Sequence, residues 1–281
     1  MKFLIIQENG RHEVSKHLRE CNSMKRALIN NNVSCDVWGL GHDNYNITPD
    51  YNNYDVIINL ENYDTGWMPS LSQFNKPLKF LWAIDSHVRG YNYYTDVFKE
   101  GKYNYILQAT KDYLDKDSLW FPNCYDDEFI KPLTVEKKYL IGFCGNFVNR
   151  KPYFDYISSR MPFKLDIDVR GINMINAINS YYIQFNKNIS NDINYRSFET
   201  MGCGTALLTN YNSQYEELGF KNNDNVFFYK SKEEAIDIIE YHKTNKEKIK
   251  QVAKSGYEFV KTKHTFNKRA ISLLNFINTK L

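Results

Sequence analysis

The feature that most constrains the fold is a repeated alternation of short apolar runs with helical patterns. Phe3–Ile6 is a continuous apolar run, which is typical of a strand buried on both faces of a parallel sheet. Residues 13–31 follow with apolar side chains at helical spacing, and Ser34–Trp38 is the next predicted strand. This succession predicts right-handed βαβ crossovers. Four more strands are predicted in the first half: Asp55–Leu60, Leu78–Ile84, Tyr105–Gln108 and Ser118–Phe121.

The alternation stops and then starts again. Phe129–Lys138 is polar, contains a proline and has no periodicity, whereas Tyr139–Gly145 reads as a new first strand. A chain of 281 residues suits two domains of roughly 100–150 residues each. We therefore predict two doubly wound parallel-sheet domains, residues 1–135 and 136–264. Further strands are predicted at Phe163–Val169, Tyr181–Phe185, Thr205–Thr209 and Asn225–Tyr229, and helices at residues 232–242, 246–262 and 265–281.

Composition and charge argue against a strongly basic protein, a disulfide-stabilised protein, a zinc-binding protein and a membrane-spanning protein. The net charge of +3 is only mildly basic, so it permits an acidic partner without requiring one. Five cysteines are dispersed with no C-x-x-C spacing, which indicates reduced thiols in a cytoplasm rather than a disulfide framework or a zinc site. No apolar run approaches the ~18 residues of a membrane span, and the N-terminal run is too short for a signal peptide.

Residues 194–209 combine a short helix, a glycine turn and a buried strand. The start of a helix offers free backbone N–H groups and a positive dipole end to phosphate, and Arg196 would add a forked cationic donor. Glu199, one turn later, can accept two hydrogen bonds from a ribose diol. The pattern therefore fits a nucleotide diphosphate site. An ordinary helix-to-strand connection with a glycine cap fits the same spacing.

Five stretches of the chain carry recognisable motifs. They are Asn194-x-Arg196-x-Phe198-Glu199-x-x-Gly202-x-Gly204-Thr205, Gly256–Val260 with Lys263–Ala270, Trp120–Asp126, Ile141–Arg150 with Gly145 and Asn146, and Phe80–His87. These stretches resemble the GT-B glycosyltransferases, and in particular the CgeB-like group and the related group 1 (family 4-like) enzymes. The resemblance covers most of the chain, and it is strong for residues 139–281 and weaker before residue 78.

The resemblance implies a GT-B fold, with two Rossmann-like domains facing a cleft and a final helix, residues 265–281, packing back onto the N-terminal domain. It implies a nucleotide-sugar donor, UDP-sugar above all, held by the C-terminal domain without a metal or another cofactor. The acceptor would lie on the N-terminal domain, where His87 or Asp85 would act as general base. The implied donor-binding residues are Gly145, Asn146, Arg150, Asn194, Arg196, Glu199 and Gly202.

Each assignment has a structural alternative. Glu199 can pair with Arg196 at i, i+3, Arg150 with Lys151 can be a solvated surface pair, and His87 can be a structural residue at a strand end.

Two features separate this chain from neighbouring enzyme families. The position eight residues before Glu199 is Asn191, where many retaining enzymes of this fold carry a second glutamate. Either that acid is absent or Asp192 replaces it, so the sugar and the anomeric outcome stay open. Asp166-Ile167-Asp168 spells the D-x-D of metal-dependent GT-A enzymes, but it falls in an alternating strand, so we discount a metal there.

The predicted function is hexosyl transfer from the donor to an acceptor hydroxyl on a surface glycan, a protein or a small molecule. An alternative acceptor is DNA, through a hydroxymethylated base, as in a phage-type enzyme. An alternative of another class is a non-catalytic nucleotide-sugar-binding protein. A Rossmann oxidoreductase is disfavoured because its G-x-G-x-x-G motif is not found after the first predicted strand. The segment Gln7–Gly10 stands there instead. The oligomeric state is left open.

Overall fold

The computed structural model describes residues 1–61 and 66–280, except for the side chain of Tyr91, and the chain divides into two compact units. The first unit contains Met1–Pro122 and the C-terminal segment from Phe266, and the second contains Asn123–Thr265. The division lies ahead of the boundary predicted at residue 135, because the connecting segment is bonded to the second unit. Asn123 Nδ2 donates to the carbonyl of Ile193 at 3.0 Å, within that unit.

The first unit is built on a six-stranded parallel sheet with the strand order β2-β1-β3-β4-β5-β6. Its core on one face gathers apolar and aromatic side chains such as Leu4, Ile57 and Leu81. The strands are β1 (Lys2–Ile6), β2 (Ser34–Trp38), β3 (Val56–Leu60), β4 (Leu78–Ala83), β5 (Tyr105–Gln108) and β6 (Ser118–Trp120). The helices are α1 (Glu20–Asn30), α2 (Ser86–Arg89), α3 (Tyr91–Gly101) and the C-terminal helix (Phe266–Asn278), with 3₁₀ turns at Glu13–Leu18, Tyr51–Asn53 and Lys111–Tyr113.

The second unit has a five-stranded parallel sheet with the strand order β11-β10-β9-β7-β8. Its core contains Phe143, Phe185 and Leu208, which are all fully or almost fully buried. The strands are β7 (Tyr139–Gly145), β8 (Lys164–Ile167), β9 (Tyr181–Asn186), β10 (Ala206–Asn210) and β11 (Phe227–Tyr229). The helices are α4 (Lys151–Ser158), α5 (Gly171–Asn179), α6 (Tyr195–Gly202), α7 (Ser213–Glu217), α8 (Lys232–His242) and α9 (Lys246–Lys263).

The two parallel-sheet units confirm the predicted fold class. Helix prediction was less accurate, because the single helix expected over residues 13–31 is a 3₁₀ turn followed by α1. Arg19 separates the two with extended dihedrals, φ −61° and ψ 146°. The last helix belongs to the first unit, and α1 packs against it there. Its expected last residue, Leu281, lies outside the described residues.

No helix in the described ranges is both long enough and apolar enough to cross a membrane.

A glycine on α9 gives a stability prediction. A Cβ on Gly256 would lie 2.7 Å from the carbonyl oxygen of Asn225 and 3.3 Å from Met201 Cγ, so the helix packs closely through this position. We expect Gly256→Ala to destabilise the protein by about 1–3 kcal/mol, because this overpacking outweighs the ~1 kcal/mol gain in helix propensity. The measurement is the urea midpoint followed by circular dichroism.

Lys254→Ala, at an exposed position of the same helix, is the control and should change stability by less than about 0.5 kcal/mol. An unchanged or raised midpoint for Gly256→Ala would show that the packing at this glycine is loose.

Candidate functional site

The start of α6 lies just beyond the carboxyl end of β9, at the edge of the sheet where ligands of open α/β domains bind. Asn194 is the N-cap of α6, and its Oδ1 accepts a hydrogen bond from the backbone N–H of Ser197 at 3.2 Å. A capping side chain satisfies one of the four orphan N–H groups of a helix start. The remaining first-turn N–H groups can therefore bind an anion.

A buried polar network fixes the position of this helix start. Asn186 Nδ2 donates to Ser197 Oγ at 3.2 Å, and Asn194 Nδ2 donates to Asn186 Oδ1 at 3.2 Å. Asn188 Nδ2 donates to the hydroxyl of Tyr215 at 2.9 Å, and that hydroxyl lies 2.8 Å from Ser197 Oγ. Sequence reasoning missed Asn186, Asn188 and Tyr215. Two asparagines alternating at the end of a buried strand are the signal that was available.

Arg196 and Glu199 face each other on α6. Arg196 Nη1 lies 2.9 Å from Glu199 Oε2, and both side chains are largely buried, at 20% and 17% exposure. The i, i+3 pairing considered from the sequence is therefore present, although it is not a solvated surface pair. The contact lacks hydrogen-bond geometry, so Arg196 Nη1 is a buried donor without a hydrogen-bond acceptor in the described part of the chain. A buried donor left unmet costs free energy, and an incoming acceptor would recover it.

Arg150 comes directly before α4, in the loop that follows β7. It is 8% exposed, so it is not the solvated partner of Lys151 that the sequence left open. Its Nε donates to the carbonyl of Lys187 at 3.1 Å, and its Nη1 donates to the carbonyl of Asn146 at 3.0 Å. Within the described residues, no carboxylate lies within ion-pair distance of this guanidinium. The charge of Arg150 is thus bonded to neutral oxygens only.

Neighbouring charges act on the pKa of the buried Arg150. Burial lowers the pKa of Arg150, and the positive charge of Arg196 lowers that pKa further, whereas Asp192 acts in the opposite direction. Burial and the charge of Arg150 also lower the pKa of Lys187. The three cations Arg150, Arg196 and Lys187 exceed the two nearby carboxylates, Asp192 and Glu199, by one positive charge, so an incoming anion would be favourable here. The carboxyl edge of this sheet is therefore electrostatically suited to a phosphate group.

The other predicted donor residues lie nearby but have different roles. Gly145 ends β7, and a Cβ there would lie 3.1 Å from the ring of Phe143 and 3.7 Å from Arg196 Nε. Asn146 is exposed, and its Oδ1 accepts from the backbone N–H of Val148 at 2.8 Å, which shapes the loop before Arg150. Gly202 ends α6, and a Cβ there would lie 2.5 Å from the ring of Tyr125. Packing against Tyr125 is therefore sufficient reason for that glycine.

Both aspartates of the Asp166-Ile167-Asp168 motif contact neighbouring side chains. Asp166 accepts a hydrogen bond from the hydroxyl of Tyr181 and forms an ion pair with Lys164 at 3.1 Å. Asp168 lies just past the end of β8 and 3.8 Å from Arg170. In the ranges that the structure describes, no three acidic, histidine or cysteine side chains are grouped to hold a metal ion.

His87 and Asp85 lie in the first unit, at the carboxyl end of β4. Asp85 is the residue before α2, and its backbone N–H donates to Glu61 at 3.1 Å. Glu61 also accepts from the backbone N–H of Ile84 at 2.8 Å and from the hydroxyl of Tyr94. Sequence reasoning missed Glu61, which anchors the turn that carries both candidate bases. His87 Nδ1 is buried without a hydrogen-bond partner in the described residues, and its role as a base stays a prediction.

Comparison with known proteins identifies the fold. Residues 142–275 match the profile of a family described as Glycosyl transferase-like. No curated protein matches the chain by sequence. Among solved structures, sucrose-phosphate synthase from Thermosynechococcus elongatus is 9% identical with a TM-score of 0.70, over 99% of this chain and 98% of that one. Anabaena HepE in complex with UDP and glucose is also 9% identical with a TM-score of 0.70, over 99% of both chains.

A third similar structure is an alpha-glucosyltransferase in complex with UDP and a 13-mer DNA containing a central A:G mismatch. It is 9% identical with a TM-score of 0.71, over 99% of this chain and 100% of that one. The two parallel-sheet units and these likenesses show that the chain has the GT-B fold. Together with the matched segment, they support the glycosyltransferase superfamily.

Proposed function

We propose that this GT-B chain is a glycosyltransferase that uses a UDP-sugar as donor and binds it at the carboxyl edge of the second unit's sheet. The observation that supports this most directly is the pair of largely buried arginines, Arg150 and Arg196, beside the start of α6. A cationic pocket of this kind suits a diphosphate, whose four or more oxygens can accept from both guanidinium groups and from backbone N–H groups.

Glu199 would bind the ribose of the donor. Its Oε2 faces Arg196, and no hydrogen-bond donor to Oε1 is found in the described part of the chain, so Oε1 can accept from a ribose hydroxyl. Arg196 would then be held between the ribose-binding carboxylate and the phosphates. The choice of uridine is supported by HepE and the alpha-glucosyltransferase, which were solved with UDP.

The chemical role of the arginines follows from where charge develops. When the bond between the sugar and the β-phosphate breaks, negative charge grows on the departing UDP. Arg150, Arg196 and the first N–H groups of α6 are held in place before that happens, so they stabilise the transition state with little reorganisation. The proposed reaction needs no metal, because these groups supply the positive charge. His87 or Asp85 would accept the proton of the acceptor hydroxyl.

We also propose that the chain is a CgeB-like enzyme that transfers a hexosyl group. The stretches Asn194–Thr205 and Gly256–Ala270 resemble that group of enzymes. Five buried free cysteines favour a reducing, cytoplasmic compartment. DNA is retained as an alternative acceptor because the DNA-bound alpha-glucosyltransferase shares the fold, and non-catalytic UDP-sugar binding is retained as an alternative of another class.

The first test is a thermal-shift screen of the full chain with UDP, GDP, ADP, dTDP and CMP, each with and without EDTA. We expect UDP to raise the melting temperature by several degrees, because a ligand at 100 times its Kd adds about 2.7 kcal/mol. EDTA should leave that shift unchanged. A shift that EDTA abolishes would refute the metal-free mechanism, and no shift with any nucleotide would refute the donor site.

A further inference from the structure

The first unit contains a pocket that the donor site does not involve. The cavity measures about 430 Å³, a size typical of small-molecule sites. It lies on one face of the sheet, between the end of β3, the connection from β3 to β4 and helix α3. A doubly wound fold usually covers such a face with a crossover helix, but the described residues of this connection, 61 and 66–77, form none.

The floor of the pocket has an unmet hydrogen-bond acceptor. Asn59 is 1% exposed and lines the pocket. Its Nδ2 donates to the hydroxyl of Tyr103, whereas its Oδ1 has no hydrogen-bond partner in the described part of the chain. A buried amide oxygen is costly without a donor. A ligand hydroxyl that donated to this oxygen would recover that free energy.

The charged side chains that line the pocket are acidic. Glu61 and Glu100 line it, and no described lining residue is a lysine, an arginine or a histidine. Two cations adjoin the pocket: Lys79 Nζ donates to the carbonyls of the lining residues Leu71 at 3.0 Å and Gly101 at 3.2 Å, and the Arg89 guanidinium lies 5.1 Å from the ring of Tyr93. Burial, together with the charge of Asp85, raises the pKa of Glu61. The lining itself presents acceptors that suit hydroxyl donors, and its two carboxylates disfavour phosphates and carboxylates.

The walls of the pocket present tyrosine rings and aliphatic side chains, and the apolar face of a sugar ring can pack against them. Tyr93 and Tyr94 lie edge to face with ring centroids 5.2 Å apart, and Leu71, Leu81 and Val97 complete the apolar lining. A pyranose has an apolar C–H face that packs on tyrosine rings and a rim of hydroxyls that donate hydrogen bonds.

We propose that this pocket binds an uncharged sugar ring, with its hydroxyls donating to Asn59 Oδ1 and Glu61. We also propose that this sugar belongs to the acceptor, a step that rests on the glycosyltransferase function proposed above. The class of acceptor is then a neutral glycan rather than a nucleic acid, whose phosphates the two carboxylates would disfavour.

Saturation-transfer NMR tests the site on the full chain. The probes are methyl α-glucoside, methyl β-galactoside and methyl α-mannoside, with glucuronate as the charged comparison. We expect at least one methyl glycoside to bind, glucuronate to bind at least tenfold more weakly, and Asn59→Leu to weaken glycoside binding at least tenfold. Asn92→Leu is the matched control, because Asn92 is exposed on α3 and does not line the pocket, and it should bind as the native chain does.

The outcomes separate this proposal from the donor-site proposal. Equal glycoside binding by Asn59→Leu and Asn92→Leu, preferential binding of glucuronate, or no glycoside binding at all would each overturn the pocket assignment. UDP titrated by calorimetry into Asn59→Leu should bind with native affinity, because the donor site lies in the second unit. The near-UV circular dichroism spectrum and melting temperature of the variant should match those of Asn92→Leu, which shows that the first unit is folded. If glycosides bind in an Asn59-dependent way while UDP fails to bind the native chain, the sugar pocket stands and the glycosyltransferase function fails.

Discussion

Glu199→Ala is expected to lower the affinity for UDP by about 10- to 100-fold, and to do so by removing recognition of the ribose. A hydrogen bond to a charged acceptor contributes about 1.5–3 kcal/mol, and each 1.4 kcal/mol is tenfold in affinity. The substitution also frees Arg196 from its 2.9 Å ion pair, which would strengthen its contact with phosphate and offset part of the loss. The UDP affinity alone is therefore an incomplete readout.

A deoxyribose analogue separates the loss of the ribose contact from the effect of freeing Arg196. The native chain should bind UDP more tightly than 2′-deoxy-UDP, and Glu199→Ala should bind the two nucleotides almost equally, as measured by isothermal titration calorimetry. In double-mutant terms, the variant and the analogue delete opposite partners of one hydrogen bond. Glu247→Ala is a suitable control, because Glu247 also pairs at i, i+3, with Lys250 at 2.7 Å, but on the exposed face of α9. Preserved discrimination in Glu199→Ala would place the ribose elsewhere.

The fold could be predicted because its signals are local. A buried parallel strand reads as an apolar run, so Phe3–Ile6 and Thr205–Thr209 were found within a residue of β1 and β10. The helices at residues 232–242 and 246–262 were found for a similar reason, since their apolar side chains recur with helical period. The single helix expected over 13–31 is interrupted at Arg19, whose backbone is extended although the apolar period continues through it.

The site was less predictable because its decisive properties come from residues that are distant in sequence. Arg150 and Arg196 were identified by motif, but the buried guanidinium of Arg150 donates to the carbonyl of Lys187, 37 residues away. The network that positions α6 joins Asn188 to Tyr215, 27 residues apart, and no spacing rule connects them. Glu61 could not be singled out without knowing that β3 and β4 are neighbours in the sheet. Strand order is a tertiary property, and it creates such contacts.

Arg150→Met is expected to weaken UDP binding by about 2–4 kcal/mol, or roughly 30- to 1,000-fold, while leaving uridine binding unchanged. The reason is that Arg150 would supply a buried, permanently charged donor to the diphosphate, which uridine lacks. Methionine retains most of the volume of the side chain, so the cavity beside Phe143, whose ring lies 5.8 Å from the guanidinium, stays filled. The measurement is calorimetry with UDP, UMP and uridine in parallel.

This comparison tests a real alternative, since Arg150 also donates to the carbonyls of Lys187 and Asn146 and so ties the loop after β7. If that structural role were the whole of its function, Arg150→Met would lower uridine and UDP binding equally and would lower the melting temperature. Lys151→Met applies the same change to the exposed neighbour of Arg150 and should affect neither ligand. Arg150→Lys keeps the positive charge but lacks the forked guanidinium group. If Arg150 contacts the phosphates directly, this variant should bind UDP more tightly than Arg150→Met. If only the loop contacts matter, the two variants should bind UDP equally weakly.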